Sequence, residues 1–237
     1  MKLLYSQRKV EFSTVWSTKE LWGGFALGVF LYLVGSLGGV WLIKQFGWQN
    51  SPWLAVVLAP VQLMMVAPPL LIMRRYGSPW RLLGLNRFDW LMLLQTLFML
   101  GLSFCSMITW GLILQPFGIQ PQEPLVPLFG DGVDAFVSVF VVAAILAPIV
   151  EEIVFRGFLF AGLRQRYHLG VAAVVSGAIF GGIHLQPFAF PVLFLLGVLL
   201  ALLYDRTGSL WAPILMHFCI NALAVLAQYV AMSQGLI

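Results

Sequence analysis

Charge is what this chain has least of. Only 9% of its residues are Asp, Glu, Lys or Arg and 61% are apolar, where a soluble domain has roughly 25% charged residues. So few water-holding groups cannot cover a soluble surface, and lipid must be the solvent. Cysteine is scarce as well. Cys105 and Cys219 both lie inside apolar runs, reading as small buried hydrophobes rather than a disulfide framework. The net charge of +4 is not a nucleic-acid signal, because the cations sit in short gaps between apolar runs. No secretory signal is evident: residues 1–20 are polar, and the first apolar run is longer than the about 7–15 residues of a cleaved signal core.

What is present is a series of long apolar runs. A spanning helix needs about 20 apolar residues. Residues 21–43, 53–73, 90–114, 135–163, 188–204 and 209–232 supply candidates, and a shorter run at 171–184 falls below a certain full span. Pro60 and the Pro68-Pro69 pair should kink or break the second. The expected fold is an all-α, polytopic transmembrane helix bundle of about seven segments. Its parts are a cytoplasmic N-terminal segment 1–20, transmembrane helices over 21–114, an extracytoplasmic loop 115–134 and a helical core 135–232. That loop is rich in Pro and Gly and carries Glu123, Asp131 and Asp134.

Basic residues set the orientation, because cytoplasmic loops carry the excess of Lys and Arg. With the N-terminus cytoplasmic, Lys2, Arg8, Lys9, Lys19, Arg74, Arg75, Arg81, Arg87, Arg164, Arg166 and Arg206 fall inside and Lys44 outside, while Arg156 lies within the bilayer. The last three loops are nearly uncharged and contribute least. The expected location is the plasma or inner membrane of a prokaryote, or an organelle membrane.

The chemistry resides in polar residues where lipid should forbid them. A charge at a helix centre costs about 2.5–3.5 kcal/mol on insertion scales, so Glu151, Glu152 and Arg156 together demand a reason. Glu152 and Arg156 are spaced i, i+4, which stacks them as an ion pair, and a structural role suits them best. Glu151 is rotated about 100° away and is left unsatisfied by that pairing, as a general base would be. His184 closes the segment AIFGGIH, one turn after Phe180, with Gly177 and Gly181 on one face for close helix approach. His217 and Asn221 share another helix face, where they could hold a water, donate to an oxyanion or tie helices together. His168, in a basic loop, reads as a solvated bystander.

The ordered motifs Glu151-Glu152-x-x-x-Arg156, Phe180-x-x-x-His184 and His217-x-x-x-Asn221 resemble the CPBP family, which covers type II CAAX prenyl endopeptidases, bacteriocin-processing and immunity proteins and the Abi proteins. The resemblance covers roughly residues 120–225, including the run Ser209–Pro213 that enters the last motif. It implies a glutamate-dependent intramembrane endopeptidase. Glu151 would be the general base, His184 would help position the water, and His217 and Asn221 would stabilise the oxyanion. Glu152, Arg156 and Phe180 would support the site. The substrate would be a peptide or membrane protein, lipidated or not, met in the lipid bilayer, with no nucleic acid involved.

Cofactors are expected to be none. Zinc is the minority alternative, disfavoured because no H-E-x-x-H pair is present and Asn221 is a poor zinc ligand. Two other classes compete with the peptidase. One is a catalytically silent immunity or binding protein of the same family. The other is an ion- or proton-relay transporter, against which no inverted-repeat pair of interrupted helices is visible.

Overall fold

A computed structural model of the chain describes residues 16–85 and 89–235. Lys2, Arg8, Lys9 and Arg87, used in the orientation argument, lie outside the described residues, as does most of the 1–20 segment. Seven longer helices follow in order: α1 Thr18–Phe46, α2 Leu54–Arg74, α3 Trp90–Leu114, α4 Gly132–Arg164, α5 Leu169–Ile183, α6 Phe190–Thr207 and α7 Trp211–Ser233. Among the described residues six are long and apolar enough to cross a membrane, and α5 is the short one. At 1.5 Å per residue its 15 residues extend about 22 Å. The protein is an integral, multi-pass helical bundle.

Local chemistry sets the helix ends. Ser17 and Glu20 form a reciprocal capping box at the start of α1, and Asp89 accepts from the Met92 N–H at the start of α3. Gly47 and Gly208 end α1 and α6 in the left-handed conformation that glycine adopts without strain. Pro60, Pro68 and Pro69 do not break α2, which runs continuously. Helix α1 packs tightly on it: a Cβ at Gly28 would sit 2.5 Å from the Met65 carbonyl. Such packing is how membrane helices tolerate proline.

The loops separate into two ends, held by polar contacts. At one end Arg166 donates to the Trp16 carbonyl and Thr18, Tyr76 donates to Glu20, Arg164 pairs with Asp205, and Leu210 N–H donates to the Leu83 carbonyl. At the other, Gln228 accepts from the N–H groups of Leu125 and Val126, and Gly130 abuts the Asn50 carbonyl. Lys19, Arg74, Arg75, Arg81, Arg164, Arg166 and Arg206 fall at the first end and Lys44 at the second, the division the positive-inside count requires.

Helix α4 is not uniform. Its α-helical middle, Ala147–Glu152, is flanked by π-helical stretches Phe140–Leu146 and Ile153–Phe160. Such wide turns concentrate at functional sites. Helices α5 and α6 meet through glycine: a Cβ at Gly177 would lie 2.9 Å from the Phe194 carbonyl, and one at Gly197 would lie 2.7 Å from Gly177 Cα. Backbones in this contact set how far His184, at the end of α5, stands from the bundle axis.

Candidate active site

The middle of α4 brings two adjacent carboxylates into different surroundings. Glu152 and Arg156 are completely buried and paired at 2.8 Å, as the i, i+4 spacing predicts. The same Glu152 oxygen, Oε1, also lies 2.9 Å from Nδ1 of His217 on α7. A ring nitrogen facing a carboxylate at that distance carries the hydrogen, so the tautomer follows from the partner. Nε2 is thereby turned toward Glu151, whose Oε2 lies 3.9 Å away. That separation is too long for a direct hydrogen bond. No described residue donates to this Glu151 oxygen, and the side chain keeps 24% of its surface exposed.

Phe180 ties the other motif residues together. Its fully buried ring lies 4.3 Å beneath the Arg156 guanidinium, as a cation–π pair, and presents edge-type contacts to His184 at 5.0 Å and His217 at 5.8 Å. Arg156 also donates to the Gly197 carbonyl at 3.3 Å, a reach that crosses the glycine contact of α5 and α6. His184 is half-buried, and its Nδ1 lies 2.7 Å from the Phe180 carbonyl one turn back. The carbonyl accepts, so Nδ1 carries the hydrogen and Nε2 is left as an acceptor.

Asn221 is placed differently from the other motif residues. Its side-chain amide donates to the Ala143 carbonyl in the first π-helical stretch, at 2.9 Å. Sequence reasoning missed this contact and the bond between His217 and Glu152, since both depend on the register between α4 and α7. Pro148, three residues before Glu151, was the signal available for local irregularity in α4. Among the described residues, no three His, Cys, Asp or Glu side chains form a group that could hold a metal ion. His168 caps the start of α5 through Nδ1, away from this centre.

Fold and site together define a polytopic membrane protein with a carboxylate–histidine centre in its helical core. Residues 133–223 match the family model described as type II CAAX prenyl endopeptidase Rce1-like. The chain is 31% identical over 112 residues to a Bacillus subtilis protein described as "Putative membrane peptidase YdiL", covering 47% of this chain and 46% of that protein. It is 30% identical over 113 residues to an Escherichia coli "Uncharacterized 24.3 kDa protein", covering 45% and 52% respectively. The matches thus span about half the length of these curated relatives. No solved structure matches the chain. The matched region, residues 133–223, contains all three motifs whose spacing resembles the CPBP family.

Proposed function

We propose that this protein is an intramembrane endopeptidase in which Glu151 activates water against a peptide bond. The observation that supports it best is the unequal treatment of the two glutamates. Glu152 is enclosed and committed to Arg156 and His217, while the neighbouring Glu151 keeps an oxygen with no donor among the described residues, facing a histidine nitrogen. A gap of 3.9 Å suits one water bridging the two groups. Glu151 takes a proton as the water oxygen bonds to the scissile carbonyl carbon. That proton then passes to the departing amine as the C–N bond breaks.

The remaining motif residues serve the charge that develops. Held through Nδ1 to Glu152, His217 turns Nε2 toward the reacting centre, where, carrying a hydrogen, it would donate to the oxyanion. Asn221 has one amide hydrogen engaged and a second to offer the same oxygen. His184, presenting Nε2 as an acceptor, orients the water. The mechanism uses no metal: Glu152 is already held by Arg156, and Asn221 is a neutral amide. The substrate is a peptide or membrane protein, in keeping with the endopeptidase family.

The test is to label new N-termini in membranes from cells carrying the wild type or the Glu151→Gln variant. The proposal expects termini present only with the wild type, and their absence would refute it. Dialysis of the purified enzyme against a strong chelator, followed by elemental analysis, addresses the metal. Stoichiometric zinc whose removal abolishes cleavage and whose return restores it would overturn the metal-free mechanism.

A further inference from the structure

The bond from Asn221 to Ala143 has a cause within α4. A helical carbonyl at position 143 would be met by the N–H of residue 147 or 148. In this π-helical register the Ala147 N–H donates to the Val142 carbonyl instead. Residue 148 is proline, which has no N–H to give. Both main-chain donors are therefore withheld from the Ala143 carbonyl, in a part-buried stretch of an apolar spanning helix where an unmade bond is costly. The Asn221 amide fills the place at 2.9 Å. Because the acceptor is a carbonyl, the NH2 end of the carboxamide must face it. The plane is then set, and the second N–H points in one direction only.

We infer that Pro148 is a positioning residue of this site, committing the Asn221 amide to the Ala143 carbonyl by withholding the main-chain donor. The catalytic half of this inference rests on the peptidase reading above. Helix α7 is thereby pinned to α4 at two levels: His217 to Glu152 on one side of Glu151, and Asn221 to Ala143 on the other. An amide free to rotate would offer the oxyanion a carbonyl as readily as a donor. One that is pinned cannot.

A thermal cycle in detergent needs no substrate. The purified proteins are the wild type, Pro148→Ala, Asn221→Leu and the double variant. Asn221→Leu leaves the Ala143 carbonyl bare and should lower the melting temperature by about 5 °C. In the Pro148→Ala background the main-chain N–H restored at position 148 can take that carbonyl, so Asn221→Leu should shift the midpoint by less than about 1 °C. Equal shifts in both backgrounds overturn the inference. So does a Pro148→Ala protein that fails to fold, since the proline would then serve the helix rather than the amide.

The kinetic half uses a synthetic peptide spanning a terminus released only by enzyme with Glu151. Pro148→Ala should lower kcat about tenfold or more with KM within about twofold, and this loss should vanish when Asn221 is already replaced by Leu. Coupled stability with unchanged kcat would overturn the positioning role and leave the peptidase reading intact. If no terminus depends on Glu151, the peptidase reading fails, the catalytic role of Pro148 fails with it, and the thermal cycle still decides the Asn221 commitment.

Discussion

Replacing Arg156 with Met should separate stability from catalysis in one experiment. Both partners of the Glu152–Arg156 pair are fully buried at 2.8 Å, so the solvent screening that weakens surface pairs does not apply. Removing the guanidinium strands a carboxylate that only His217 then contacts, and breaking such a pair costs about 3–5 kcal/mol. The lost stacking on Phe180 and the lost bond to the Gly197 carbonyl belong to that same figure, because groups in one network do not add. For a chain of this size about 2–4 °C of melting temperature corresponds to each kcal/mol, so the midpoint should fall by roughly 6–20 °C. Following intrinsic tryptophan fluorescence on heating in detergent would read this. Adding Glu152→Leu removes the stranded charge and should recover at least half of the loss. It also takes the acceptor from His217 Nδ1, so cleavage should be lost even as stability returns. An Arg156→Met protein melting within about 2 °C of the wild type would refute the reasoning.

Further expectations follow from other contacts. Gly177→Val should drive α5 from α6, since a Cβ there already lies 2.9 Å from the Phe194 carbonyl, costing about 1–3 kcal/mol and displacing His184; Gly182→Ala, which meets nothing within 4 Å, should be harmless in the same melting and cleavage assays. Phe180→Leu should keep the helix packing but loosen both histidines, lowering turnover of a Glu151-dependent peptide more than the melting temperature. Tyr76 donates to Glu20, and this bond holds the phenol above its ordinary range. Its contribution is therefore full at neutral pH and lost as pH rises through the raised value. The melting gap between the wild type and Tyr76→Phe should accordingly close at strongly alkaline pH. Single cysteines at 119–123 and 165–168, in a protein lacking Cys105 and Cys219, should label with an impermeant reagent from opposite faces, the second from the cytoplasm. Labelling of 165–168 from outside would reverse the orientation.

Much of this architecture was legible in the sequence, because lipid imposes a single strong rule. The run Trp90–Leu114 became a helix with those limits, and the short fifth segment stayed short. The Glu152–Arg156 pair followed from spacing within one helix. What could not be read were contacts between helices. His217 could have met either glutamate, and only the relative rotation of α4 and α7 gives Glu152 its Nδ1. The π-helical turns hide for a related reason: periodicity in a uniformly apolar stretch carries no information about five-residue steps. Proline misled within α2, where rigid local rules yield to close packing against α1.

The shortness of α5 has a consequence for the membrane itself. Helix α1, at 29 residues, extends about 43 Å, while α5 and α6, at 15 and 18, extend about 22 and 27 Å. A hydrocarbon core is about 30 Å thick, so lipid against α5 and α6 must compress while lipid against α1 need not. These lengths predict a one-sided thinning of the bilayer beside the helix that ends in His184. Thinning there would bring headgroups and their water nearer the centre and shorten the path of a polar reactant. Hydrophobic mismatch would then tune the protein: thicker bilayers would work against the thinning and thinner ones with it.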